Sequence, residues 1–337
     1  MPGKDKVITM KQIIMEGPRK SKIVEVDIPK ILDDQILVKV IYTGMCHSEW
    51  YPWTQAKAGD IFGHETVGIV ADVGKNVKDF KIGERVTGLG GGGYKEYIVM
   101  NPKKVMKVPE NLQSTDAIVE PLACIMSVAE RIDSEKIGDR IAVVGAGYMG
   151  LGLISLLKAR GYTNIVAVDN REIALENART FGADEVYLPS QLSKEHYLDW
   201  SNWTAPDLTR DGHRTDIFNT GFRTVVEFSG TEGGLALAAR MVSAHGTLGV
   251  AGFHNDSPRT LDFKLLNMKA LNIYNCHERR IDYEVTLARR ALELISKGMW
   301  KFKGVTKHLY TFEEFDMANE DMESHRDNFI KGVVYCE

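Results

Sequence analysis

Between Arg140 and Tyr162 the chain reads RIAVVGAGYMGLGLISLLKARGY, and this stretch leaves few folds open. Ile141 to Val144 form a short apolar strand, Gly145, Gly147 and Gly150 follow as G-x-G-x-x-G, and the next segment is apolar all round until Gly161. Strand, glycine turn and buried helix together cradle a dinucleotide: the first glycine permits the turn, the second admits the pyrophosphate, and the third lets helix and strand pack closely. A second strand, NIVAVDN, ends in Asp169, nineteen residues beyond Gly150. A carboxylate there accepts hydrogen bonds from the adenosine ribose and repels a 2′-phosphate, so NAD is the expected cofactor. Arg171 is the one neighbour that could accommodate NADP; it reads more simply as a solvated residue in the first turn of the next helix.

The alternation continues. REIALENARTFGA reads as a helix closed by Gly182, EVYL as a third strand and RTVVEFSG as a fourth. TEGGLALAARMVSAHG reads as a further helix, GTLGVAGF as a fifth strand and LNIYNC as a last one. Strands and helices alternating at this length predict a doubly wound parallel sheet. From Leu188 to Thr224 the pattern dissolves into a polar stretch with two tryptophans, in which a helix of uncertain limits and a loop are expected.

A chain of 337 residues has room for two domains. The formal charge of −4 leaves no basic footprint for nucleic acid, and no apolar run is long enough to span a bilayer. Four widely spaced cysteines, Cys46, Cys124, Cys276 and Cys336, fit a reducing cytoplasm better than a disulfide framework.

Ahead of the nucleotide motif, the first 110 or so residues are β-rich, with half-buried strands expected in IVEVDIP, QILVKVIYTG, TVGIVADVG, GERVTG and YKEYIVM. Inside this region lie GMCHSEW and GHETVG, which bring Cys46, Ser48, His64 and Glu65 close in sequence. Thiolate, imidazole and carboxylate make a zinc donor set with room for an open position. A buried thiol and a core histidine would explain either residue alone; the pair beside glycines is harder to explain that way. Glu120, followed by Pro121, either caps the helix of TDAIVEPLACIMSVAERI or turns towards a metal.

With GMCHSE, GHE, EPLA and the glycine fingerprint at these separations, the chain resembles the zinc-dependent medium-chain alcohol dehydrogenase family, in its polyol and threonine dehydrogenase branch, over nearly its whole length. The resemblance implies a distorted GroES-like barrel as a discontinuous catalytic domain, 1–124 and 278–337, around a Rossmann domain, 125–277. It implies one catalytic zinc held by Cys46 and His64 together with Glu65 or Glu120, either of which may bind directly while the other orients a bound water. Ser48 is implied as first proton carrier, His47 as a contact of the cofactor pyrophosphate, and Glu49 as the acid supporting a zinc ligand. The NAD contacts implied are Gly145, Gly147, Tyr148, Met149, Gly150, Asp169, Arg171, Ser229, Ala251 and Gly252.

The chain departs from the family in two places. Many relatives carry a four-cysteine lobe where this chain has only LGGGG before Tyr94, so a structural zinc is not expected. Tyr51 stands where some relatives have a relay histidine. Trp50, Tyr51, Trp53 and Tyr94 are candidates for a substrate wall, and His277, Glu278, Arg279 and Arg280 for hydroxyl or carboxylate recognition. The expected activity is NAD-linked oxidation of a small-molecule secondary alcohol, a polyol, sugar or cyclitol, by a cytoplasmic homodimer or homotetramer. The alternatives are a threonine-type amino-alcohol dehydrogenase, a zinc-free quinone or enoyl reductase, which Cys46 with His64 argues against, and a cofactor-binding protein without turnover.

Overall fold

The computed structural model describes residues 9–198 and 220–336. Two compact units emerge, one from residues 1–123, 280–298 and 303–337, the other from residues 124–279 and 299–302.

The first unit is built on strands. An antiparallel hairpin pairs β1 (Thr9–Gly17) with β2 (Lys20–Asp27). The larger sheet takes β3 (Ile36–Gly44), β4 (Glu65–Val73), β5 (Arg85–Leu89), β6 (Tyr97–Met100) and β7 (Val105–Lys107) from one part of the chain. Alternation along β3 turns Ile36, Val38 and Val40 into the core at 0% exposure each, as a strand with one buried face requires. β3 pairs antiparallel with β4 along its length, and its other edge is shared between β6 and a strand from the far end of the chain. The core of this unit collects Met15, Met45, Trp53, Tyr94, Phe315 and Cys336 among others.

The second unit is a parallel sheet of β8 (Ile141–Val144), β9 (Ile165–Val168), β10 (Glu185–Tyr187), β11 (Phe222–Glu227), β12 (Val242–Val250) and β13 (Asn272–Asn275), in the order β10-β9-β8-β11-β12-β13. Every residue of β8 and β9 is buried, because parallel strands with helices on both faces have no wet side. The strand order reverses between β8 and β11, so the ends of those strands open a switch point of the doubly wound kind. The first unit then resumes with the helix Ile281–Ser296, β14 (His308–Tyr310), the helix Phe315–Ser324 and β15 (Gly332–Tyr335), and β15 lies between β14 and β3.

One expectation needs correction. The helix expected over TEGGLALAARMVSAHG stops at Met241, and Val242 to His245 open β12. Val242 pairs with Phe222, and the register then shifts so that Thr247 faces Thr224. Apolar residues in MVSAH suit either period, and strand pairing decides between them. Most of the polar stretch between Leu188 and Thr224 lies outside the described residues. No helix among the described residues is long and apolar enough to cross a membrane.

Candidate functional site

β3 ends at Gly44, a short turn carries Cys46, and β4 begins at Glu65 directly after His64. Because Gly44 and Glu65 face each other in the ladder, the two loops bring their donors together. One ligand atom from each of Cys46, His64 and Glu65 lies within 4.8 Å of the others. Gly44 has a steric reason: a Cβ there would stand 2.1 Å from Glu65 Oε2. Glu120 sits in the first turn of the helix Val119–Ala129 and falls outside that cluster of three.

The surroundings orient the donors. His64 Nδ1 lies 2.6 Å from Glu49 Oε1, which leaves Nε2 as the nitrogen available to a metal. Glu49 also accepts from the Gly63 amide at 2.7 Å and from the Tyr94 hydroxyl at 3.0 Å. Ser48 donates to Cys46 Sγ at 3.1 Å. His47 is exposed and stacks on Trp50 with ring centroids 5.6 Å apart.

Charge in this pocket asks for a cation. Burial works against a charged imidazole, yet hydrogen bonds and attraction to Cys46 and Glu49 lift His64 from 6.5 to about 12. Glu65 is fully buried, and its Oε1 finds no hydrogen-bond partner among the described residues. Oε2 pairs with Lys331, whose Nζ is 2.5 Å away. Lys331 also donates to the Met45 carbonyl at 2.7 Å. Burial alone would strip its proton, but Glu65, Cys46 and Glu120 hold Lys331 above the ordinary lysine value. A thiol, an imidazole whose Nδ1 is held by Glu49, and a buried carboxylate with one oxygen unpartnered fit zinc.

Sequence reasoning missed Lys331. Its one signal is a charge leading the otherwise apolar strand GVVYC. The reasoning also misplaced two aromatic residues. Trp53 is 0% exposed in the core, and Tyr94 is 2% exposed with its phenol on Glu49; neither lines a substrate wall. Burial and the nearby Glu49 and Glu65 charges raise the Tyr94 pKa well above 10, so it remains a donor.

In the second unit the glycine loop joins β8 to the helix Tyr148–Ala159. A Cβ at Gly145 would strike Ser229 N at 2.7 Å, and one at Gly150 would strike Gly145 O at 2.0 Å. A Cβ at Gly147 would meet nothing within 4 Å, which leaves the space a pyrophosphate needs. Tyr148 packs on Phe302 at 5.1 Å, and Met149 is half-buried beside it in the first turn. Asp169 is not open, being 9% exposed: Oδ2 accepts from the Ala146 amide at 2.8 Å, and Oδ1 from Arg171 N at 3.0 Å and Nε at 3.2 Å. Arg171 is therefore the N-cap of the next helix with its guanidinium on Asp169, not a solvated residue of the first turn.

At the ends of β11 and β12 the buried Glu227 carboxylate accepts from Ser229 Oγ at 2.6 Å, Gly230 N at 2.8 Å and His254 Nε2 at 3.0 Å. The Ala251 and Gly252 amides bond to the Glu227 carbonyl at 2.9 and 2.7 Å, so one residue ties both strand ends. Of the cluster after β13, Glu278 is taken up by Arg131 at 3.2 Å, and His277 Nε2 lies 3.3 Å from the Gly252 carbonyl.

Comparison with known proteins agrees with this geometry. Residues 32–110 match the alcohol dehydrogenase GroES-like domain, and residues 149–296 match the zinc-binding dehydrogenase family. The chain is 24% identical to a sorbitol dehydrogenase of Bacillus subtilis over 97% of each chain. It is 26% identical to a D-xylulose reductase of Saccharomyces cerevisiae, over 97% of this chain and 98% of that one. In fold it resembles an Escherichia coli oxidoreductase/dehydrogenase of unknown specificity, with a TM-score of 0.81 at 24% identity over 98% of this chain and 100% of that one. With both halves matched and a Cys–His–Glu donor set in the first, the chain belongs to the zinc-type medium-chain alcohol dehydrogenase family and is a zinc- and NAD-dependent oxidoreductase.

Proposed function

We propose that the protein oxidises a secondary hydroxyl of a polyol, sugar or cyclitol to the ketone, with NAD as acceptor. The observation that carries this reading is the cluster of Cys46, His64 and Glu65, with Glu49 turning the imidazole towards the other two. Curated relatives named for sorbitol and xylulose support the substrate class.

Cys46, His64 and Glu65 would hold the zinc, with Glu120 as the nearby carboxylate left to orient water. Bound there, zinc would supply a Lewis acid that makes an alcohol proton easier to remove, and NAD would serve as the hydride acceptor. Ser48 would take the proton, since a hydroxyl donates and accepts at once; its donor contact to Cys46 supports this role. Glu49 and Tyr94 hold the histidine at its angle throughout. Gly145 to Gly150 would hold the pyrophosphate, and Asp169 with Arg171 would hold the adenosine ribose.

Residues 1–124 with 278–337 serve as the catalytic domain and 125–277 as the nucleotide domain. Among the described residues β13 ends the parallel sheet, with Ile273 43% exposed, and an edge of that kind favours a homodimer or homotetramer. None of the four cysteines is in a disulfide among the described residues, which suits a reducing cytoplasm.

A screen of polyols, cyclitols, aldoses and threonine, read by NADH formation on protein of known zinc content, tests the reading. Turnover of a polyol or cyclitol at one zinc per chain is expected. Turnover of threonine alone would favour the amino-alcohol reading. Full activity without zinc, or two zinc ions per chain, would overturn the metal assignment.

A further inference from the structure

A divalent ion alone does not balance the charges around the metal cluster. Cys46 as thiolate, Glu49, Glu65 and Glu120 bring four negative charges, and a divalent ion supplies two positive ones. Lys331, 4% exposed, is a buried cation that takes up part of the difference. It reaches the site from just ahead of β15, with its ammonium 2.5 Å from Glu65 Oε2 and a second bond to the Met45 carbonyl. With the ammonium on Oε2, Oε1 is the oxygen of Glu65 left without a partner among the described residues.

We propose that Lys331 is a positioning residue of the metal centre: it makes Glu65 a one-oxygen ligand through Oε1, and its charge holds zinc affinity below what the anions alone would give. The inference rests on the reading that Glu65 binds the metal. Two like charges on one buried carboxylate repel, so removing the ammonium strengthens the carboxylate's hold on the ion. A purely structural ion pair between β15 and β4 would have the opposite signature, lower stability with unchanged metal affinity.

Zinc affinity of the full-length protein, measured by competition with a chromogenic chelator, separates these cases, with the melting temperature of the apo protein as a second readout. Lys331→Gln keeps a donor for Met45 and loses the charge; it should bind zinc at least tenfold tighter. Lys331→Arg keeps the charge and should stay within about threefold of the parent. Glu65→Gln should weaken binding by a factor of ten or more, and if it does not, the ligand reading itself fails. Weakened binding in Glu65→Gln with parental affinity in Lys331→Gln would overturn the role given to Lys331 and leave the ligand standing. Should Lys331→Gln not fold, a tenfold change in Lys331→Arg would overturn it equally, because charge would then not be the deciding property.

Discussion

Glu49 and His64, fifteen residues apart, meet through Oε1 and Nδ1 at 2.6 Å, and a buried tyrosine holds the other carboxylate oxygen. The pair fixes both the tautomer and the angle of the imidazole, so its loss should be felt at the metal rather than in the fold. Glu49→Ala should lower zinc affinity or turnover by roughly 10 to 100-fold. Tyr94→Phe keeps the ring on Phe315, at 4.8 Å, and removes only the hydroxyl; a several-fold weakening of zinc binding is expected. Chelator competition checks both, and parental affinity in Glu49→Ala would remove it from the metal's support.

Glu120 separates two roles that local structure allows. As a helix cap alone, Glu120→Gln should cost about 1 kcal/mol or less and leave zinc and turnover unchanged. As a carboxylate beside the centre, where its charge already reaches Lys331, the same change should cost a large rate factor at nearly unchanged melting temperature. Full activity with full zinc occupancy would return it to the cap and leave Glu65 the one carboxylate at the site.

Cofactor choice turns on Asp169 under the guanidinium of Arg171. Arg171→Ala should unmask the carboxylate and sharpen NAD preference several-fold in kcat/KM, while Asp169→Gly should move preference towards NADP. Comparable kcat/KM with both cofactors in the parent would show that Arg171 governs the pocket.

Lys269 is fully buried in the second unit, where among the described residues the carbonyls of Arg240 and Val242 receive it, at 2.7 and 2.5 Å. Burial pulls it from 10.5 to about 7. The unfolded chain then binds more protons than the folded one between those two values. Lys269 therefore contributes stability that is full above the unfolded pKa and lost as pH falls through the folded one. Urea unfolding from pH 7 to 10 should show the parent gaining stability over Lys269→Met as pH rises. A constant difference would mean that the two carbonyls keep the ammonium charged.

Legibility in the sequence followed range. The doubly wound sheet could be read because β8, its glycine turn and β9 lie within thirty residues, and each step has a local chemical signature. Cys46, His64 and Glu65 could be read for the same reason. Trp53 and Tyr94 were misread because an aromatic in a loop carries no mark of which way it faces, and the acceptor of the Tyr94 phenol is forty-five residues away. Lys331 was invisible: its partner lies 266 positions back, and one lysine before an apolar strand looks like any strand boundary. The state of Asp169 was hidden by a two-residue contact, since spacing names the carboxylate but not what already neutralises it.

β15 has a consequence for how the protein is made. Val333 pairs with Gly44 and Val334 with Thr43, at the very strand end that leads into Cys46. A ribosome that has released the first 123 residues has exposed β3, Cys46, His64 and Glu65 with that edge bare and the ammonium still unsynthesised. The nucleotide unit, wholly encoded in between, can complete its sheet first. Closure of the metal pocket thus waits for a strand encoded after the whole of the parallel sheet.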